Sequence, residues 1–330
     1  MRTVGFLISH KNNEKRRAIL PEDFAAITHL DHLYFEEGYG EVMGISDDEY
    51  RAAGVHVVSR EEVIKCDTLV DVKLGDADYL ETLEPGKLLV GWAHSVQHID
   101  FTSEVIRKHH SVLAWERIDE YGRYIFYRNR EIAGEAAILQ GFRYCGKMPY
   151  DSRVAIIGNG QTAKGAMYIL TALGAEVDVF PRKMEKTFRQ MLDDGKMQAY
   201  DALVNCVMWD TNRKDRLIYR EDLKKLRPGT LIIDVSCDPN LEIETTRATT
   251  IDDPVYVVDG IIHYAVDNTP AMYPHTVSRI LSKNFAPYVD CLVKDEYPEN
   301  LQTAFDLVDG KITYQAIRDF REERGIFCDL

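Results

Sequence analysis

The sequence has no run of the ~18 consecutive apolar residues that a membrane-spanning helix needs, although 45% of its 330 residues are hydrophobic. The apolar residues are instead dispersed, in a chain long enough to fill two globular cores. No membrane association is expected. Positive charge is in deficit too: 40 Lys and Arg against 54 Asp and Glu give a formal net charge of −14. Such a surface repels nucleic acid and anionic lipid. A small anionic ligand would need a local cationic pocket set against the global field. Cysteine is sparse, with six residues scattered at 66, 145, 206, 237, 291 and 328 and none in a zinc spacing. The histidines form no metal motif either, and His109-His110 reads as a surface pair at a helix end. No metal is expected, and reduced thiols suit a cytoplasmic protein. The opening "MRTVGFLISHKNNEKRR" has only a short apolar run before strong charge, which reads as a first strand rather than a signal peptide. Gly/Ser linkers, repeats and low-complexity segments are also missing.

What the chain does contain is an alternation of strand and helix patterns. "TVGFLIS" (3–9), "HLYFEEG", "VHVVS", "TLVDVK" (68–73), "KLLVGWAH" (87–94) and "SVLAWERI" (111–118) read as strands. Between them, "PEDFAAITHL" (21–30) and "DDEYRAAG" read as helices, and Ser59 with Glu62 suggests a capping box. A second series begins with the helix "REIAGEAAILQGFRYC" (130–145), which carries small residues along one side. Residues 153–180 then read as strand, tight turn, helix and strand, and further strands follow at 202–209, 230–236 and 255–260. A long helix is expected over 275–293, with a bend near Pro287, and two short helices around Gly310. This grammar predicts an α/β fold with parallel sheets covered by helices.

One stretch carries a ligand signal. "GNGQTA" (158–163) follows an apolar strand and opens a helix. Gly158 permits a sharp turn, and Gly160 lets backbone N–H groups of the Gln161–Thr162 turn approach a pyrophosphate. Ala163 keeps helix and strand close. The helix N-terminus adds partial positive charge. The next strand ends at Phe180, where an NAD-type site would show an acid for the ribose hydroxyls. That acid is missing, and "FPRK" stands there instead. Arg182 can clamp a 2′-phosphate bidentately and Lys183 can add a point charge, so NADP is expected over NAD.

Several motifs, in order, then resemble one family. "NNEKRRAILP" (12–21), "DVK" (71–73), "GWAHS" (91–95), "REIAGEAA" (130–137), "DVSCDP" (234–239) and "HYAVDNTPAMYPHTVS" (263–278) are similar to segments of the alanine dehydrogenase and lysine-forming saccharopine dehydrogenase family. The resemblance spans nearly the whole chain. It implies two Rossmann-like domains with the active site in the cleft between them. Residues 1–129 plus 275–330 would form the substrate domain and 130–274 the dinucleotide-binding domain. It also implies a cytoplasmic homo-oligomer. "ISHK" departs from the family's usual Pro-Lys-Glu near the first strand, and Leu20 replaces a threonine before Pro21.

The implied reaction is an NADPH-dependent reductive condensation. An amine adds to the carbonyl of a 2-oxo acid, water leaves, and hydride reduces the imine. The likeness is strongest to the branch that joins pyruvate to the side-chain amine of ornithine, with lysine as another acceptable amine. Arg16, matched to the family arginine, would grip the oxo acid's carboxylate. Arg17 beside it is the other candidate. Lys73 would polarise the oxo group, and His94 suits acid–base work. Asp238 would act on the nicotinamide side, and Asn268 would hold the carboxamide or substrate. Glu116, with Asp119 and Glu120, can meet the cationic end of a diamino acid or form a solvated charge run. Rival readings are an ammonia-using alanine dehydrogenase, a lysine and 2-oxoglutarate enzyme, and a non-catalytic NADP-binding sensor.

Overall fold

The computed structural model describes residues 1–209, 213–237 and 241–328. In chain order the first elements are β1 (Val4–Phe6), β2 (Leu33–Glu36), α1 (Asp47–Ala52), β3 (His56–Val58), α2 (Arg60–Val63) and β4 (Thr68–Val70). Next come β5 (Leu88–Gly91), α3 (Ile99–Arg107), β6 (Ser111–Ala114), and the small hairpin β7 (Asp119–Glu120) and β8 (Arg123–Tyr124). The middle of the chain gives α4 (Tyr127–Gly141), β9 (Arg153–Ile157), α5 (Gln161–Ala172), β10 (Glu176–Phe180), α6 (Glu185–Asp193), β11 (Ala202–Asn205), β12 (Leu231–Asp234), β13 (Val255–Val258) and β14 (Ile261–Tyr264). The chain closes with α7 (Pro274–Lys294), α8 (Glu299–Gln302), β15 (Phe305–Val308), β16 (Lys311–Ile312) and α9 (Gln315–Glu322).

These elements divide into two compact units, Met1–Phe126 with Tyr273–Leu330, and Tyr127–Met272. Each unit is an α/β domain built on its own sheet. In the first, the strand order is β16-β15-β6-β5-β4-β1-β2-β3, and the six strands from β6 to β3 are parallel. In the second the order is β10-β9-β11-β12-β14-β13, parallel from β10 to β14. Central strands such as β4, β5, β11 and β12 are buried along their whole length, as parallel strands covered on both faces must be. Both sheets reverse winding direction once, between β1 and β4 and between β9 and β11. The crevice beyond the strand ends at such a reversal is where open α/β sheets bind ligands.

Several local expectations fail for identifiable reasons. Residues 21–26 form a 3₁₀ helix rather than an α-helix. Ser59 is the N-cap of α2 but its hydroxyl makes no capping bond, whereas Ser46 and Glu49 complete a full capping box on α1. The strand at 255–260 runs antiparallel to β14, because Asp259 and Gly260 both adopt positive φ and turn the chain back at once. The same device at Asp309-Gly310 makes the hairpin β15–β16 where two adjacent helices were expected, and α8 and α9 flank it. The long helix α7 runs through Pro287. His110 is wholly buried, not superficial. Its Nδ1 accepts the Lys87 N–H at 3.1 Å, and burial pushes the imidazole down to about 4.

Candidate active site

In the first unit, the segment carrying Arg16 is fixed by α7. The N–H of Arg17 donates to Ser278 Oγ at 2.9 Å and that of Leu20 to Ser282 Oγ at 2.8 Å. Two serines one helical turn apart thus hold the loop in register. The two arginines then part company. Arg16 is only 2% exposed. Glu14 receives its Nε at 2.9 Å and its Nη2 at 2.6 Å, and its guanidinium carbon stands 4.6 Å from the centre of the Trp92 ring. Trp92 is itself set edge-on to Trp115, and its Nε1 donates to Tyr124 Oη at 2.9 Å. Arg17 points elsewhere. Its Nε donates to the Tyr39 carbonyl and its Nη1 to the Arg16 carbonyl, and it lines a separate cavity with Glu37, Glu41 and Asp47.

Lys73 does not end a strand. β4 stops at Val70, and Lys73 is the N-cap of a 3₁₀ turn three residues later. Its side chain is mostly buried, with Nζ 3.8 Å from Asp76 Oδ2. Its placement follows from Asp71, whose Oδ1 receives the Lys73 N–H at 2.9 Å and whose Oδ2 receives the Tyr79 hydroxyl at 3.1 Å. Burial pushes the Asp71 carboxyl up to about 6. Gly91 is required opposite: a Cβ there would lie 1.8 Å from the Asp71 carbonyl.

His94 follows β5 in a left-handed conformation, φ 47°, which is strained for a residue with a side chain. Glu116, just past β6, secures it. Glu116 Oε1 accepts the His94 N–H at 2.8 Å and lies 3.4 Å from His94 Nδ1. Glu116 Oε2 is sealed from solvent with no hydrogen-bond partner among the described residues, and desolvation pushes this carboxyl up to about 7. Of the three acids grouped from the sequence, only Glu116 turns inward. Asp119 and Glu120 are exposed on β7.

In the second unit, the "GNGQTA" turn leaves β9 at the winding reversal. Gly158 has φ 106°, and a Cβ there would meet the Cys206 carbonyl at 2.8 Å, so glycine is required. Gly160 is the N-cap of α5 and faces open space. Lys164 N–H makes the first helical bond, to the Gly160 carbonyl, so the N–H groups of Gln161, Thr162 and Ala163 lie outside the intrahelical ladder. Gln161 Oε1 is buried with no hydrogen-bond partner among the described residues. Ala163 is buried against the sheet. α5 also crosses α4 at backbone distance. A Cβ at Gly134 would lie 2.0 Å from the Thr162 carbonyl, and one at Gly165 1.9 Å from the Glu131 carbonyl. The small residues seen along 130–145 therefore serve to bring α4 against the phosphate-turn helix. Unladdered N–H groups and an unobstructed glycine fit a dinucleotide pyrophosphate.

Arg182 and Lys183 open a short 3₁₀ turn beyond β10, both exposed and without a side-chain hydrogen bond or ion pair among the described residues. Asp178, the nearest acid on β10, is committed to Tyr200 Oη and Arg153 Nη2, both at 2.8 Å, which hold its carboxyl below the usual range. A pocket beside them is lined by Ile157, Phe180, Arg182, Glu185, Trp209 and Arg213. The last two residues were not singled out from the sequence. "MWDTNRKD" carries no periodic signal, and only the fold brings it beside β10. Asn268 is partly buried with φ 69°, at the turn before Thr269–Met272. Asp238 lies outside the described residues.

A glycine turn at one sheet reversal, with Lys73 and His94 beyond neighbouring strands of the other sheet, suits a nicotinamide-dependent oxidoreductase. The chain belongs to the alanine dehydrogenase/PNT family: that family's N-terminal domain matches residues 9–125 and its C-terminal domain residues 140–316. It is 30% identical over 322 residues to N(5)-(carboxyethyl)ornithine synthase of Clostridium botulinum, covering 92% of this chain and 97% of that one. It is 28% identical over 354 residues to alanine dehydrogenase of Methanococcus maripaludis, covering 95% of each. Among solved structures, an L-alanine dehydrogenase superposes with a TM-score of 0.81 over 97% of this chain and 99% of that one, at 20% identity. Among the described residues no helix is long and apolar enough to cross a membrane, and no group of side chains could hold a metal ion.

Proposed function

We propose that this protein catalyses the NADPH-dependent reductive condensation of pyruvate with the side-chain amine of L-ornithine, and with L-lysine as a second amine. The observation that carries the cofactor preference is the end of β10, where two exposed cations replace the ribose-binding acid. The substrate pair is supported by likeness to N(5)-(carboxyethyl)ornithine synthase along nearly the full chain.

When bound, the cofactor supplies a hydride to the imine carbon. The protein's own residues do the rest. Glu14 and Trp92 fix the plane of Arg16, whose guanidinium is the group that would take the pyruvate carboxylate. Lys73 polarises the oxo group and favours addition of the neutral amine. His94, held by Glu116, moves protons on the carbinolamine so that water can leave. Gly158 to Ala163 receive the pyrophosphate, Arg182 and Lys183 the 2′-phosphate, and Asn268 the carboxamide. Asp238 is proposed as a further proton-handling group.

The test follows loss of reduced nicotinamide absorbance with each oxo acid and amine in turn. Pyruvate with ornithine is expected to be fastest, with NADPH over NADH. Turnover with ammonia but not ornithine would assign an alanine dehydrogenase. Turnover only with 2-oxoglutarate and lysine would assign a saccharopine-type enzyme, and no turnover with any pair a sensor.

A further inference from the structure

The pocket beside β10 contains a group that works against a phosphorylated cofactor. Glu185, the first residue of α6, lies three positions after Arg182 and lines the same pocket. A free carboxylate there would repel a phosphate on the adenosine ribose and weaken the pull of Arg182 and Lys183. In the structure it is not free. Arg213 takes both its oxygens, Nη1 to Oε2 at 3.0 Å and Nη2 to Oε1 at 2.6 Å. The guanidinium is laid over the Trp209 ring, 3.9 Å from its centre, and Asp215 binds it from the other side with Nε to Oδ1 at 2.9 Å. Such a fork-on-carboxylate pair, stacked on an indole, is held far more firmly than a surface lysine pair. The Arg213 bond is also the main cause of the low carboxyl pKa of Glu185. Counted as charges, Arg182, Lys183 and Arg213 against Glu185 and Asp215 leave a single positive charge at this edge. Without Arg213 none remains.

We infer that Arg213 determines cofactor specificity by occupying Glu185, so that Arg182 and Lys183 meet an adenosine 2′-phosphate without an opposing carboxylate. It is a positioning residue, and the inference rests on the NADPH reading above. The probes are adenosine 2′,5′-bisphosphate and 5′-AMP, titrated calorimetrically into the full-length protein with no substrate present. Arg213→Met keeps an apolar contact on Trp209 and removes the charge. It is expected to weaken the bisphosphate about tenfold while changing 5′-AMP by less than about threefold. Adding Glu185→Gln to Arg213→Met is expected to restore most of the loss, a coupling that a purely structural role would not give. If Arg213→Met keeps the wild-type ratio of the two probes, or if Glu185→Gln restores nothing, the inference is overturned. If the wild-type protein itself shows no preference for the bisphosphate, the NADPH reading fails first and this inference falls with it.

Discussion

The two sheets reverse winding at comparable places, yet they dress those places in opposite ways. At the end of the first sheet the charged groups are folded inward. Arg16 lies against Trp92, Asp71 is wholly enclosed, and Lys73 is mostly buried. At the end of the second sheet the backbone itself is exposed through Gly160, and the cations Arg182 and Lys183 stand in solvent. The difference separates two electrostatic jobs. A desolvated charge acts through a low dielectric and can stabilise charge that develops during reaction. A solvated charge is screened and contributes chiefly to which ligand is preferred. Changes in the first unit should therefore cut rate, and changes in the second should alter choice of cofactor.

The sharpest break between them is Lys73→Met. If Lys73 polarises the oxo group as proposed, its loss should lower kcat by about a thousandfold. NADPH affinity, read by fluorescence titration, should stay within about twofold. A fall in rate below about tenfold would remove Lys73 from the chemistry. Next comes the double change Arg182→Asp with Lys183→Ala. The ratio of kcat/KM for NADPH over NADH should fall by about a hundredfold, with the better of the two rates little altered. An unchanged ratio would mean that the β10 end does not read the ribose.

Two glycines of the second unit sharpen the comparison further. Gly165→Ala would place a Cβ 1.9 Å from the Glu131 carbonyl, so α4 and α5 must separate. A loss of about 2 kcal/mol in stability is expected, seen as a lower melting temperature. Gly160→Ala meets nothing within 4 Å. It should leave the melting temperature within a degree or two, about the scale of a few tenths of a kcal/mol, yet weaken NADPH. Equal melting shifts for the two variants would contradict the distinction between a packing glycine and a ligand-facing one.

These contrasts also show what a sequence can and cannot carry. The tight turn at 158–160 was legible because its glycines answer local backbone demands at fixed spacing, and the cations Arg182 and Lys183 because they sit a set distance after that turn. The helix at 130–145 was legible in place, starting instead at Tyr127 and giving way to a 3₁₀ turn after Gly141. Its glycine contacts were not, since the partner carbonyl at Thr162 is 28 residues away from Gly134. Arg16 was set above Arg17 only by its match to the family arginine. What separates them is Trp92 on one side and Tyr39 on the other, both distant in the chain. Glu116 looked like part of a charge run with its neighbours. Only the pairing of β5 with β6 sets it beside His94. Arg213 was invisible for the same reason.

The pH dependence of stability tests the burial argument directly. Glu116 keeps its proton in the native protein up to about pH 7, where a free glutamate ionises near 4.5. Between those values the native state binds more protons than the unfolded chain, so stability falls as pH rises. The contribution is complete below about 4.5 and gone above about 7. Glu185 in the second unit has the opposite sign, because Arg213 holds its carboxyl low and acid weakens that pair. Glu116→Gln stays neutral throughout. Urea denaturation between pH 5 and 7 should therefore show the variant's stability losing up to about 1 kcal/mol less per pH unit than the wild type's. Parallel curves for the two proteins would mean that water reaches Glu116 Oε2 and that His94 is held by an ordinary ionised carboxylate. The first unit would then lose its claim to a buried, protonated Glu116 beside His94, and the rate effects assigned to it would have to come from Arg16 and Lys73 alone.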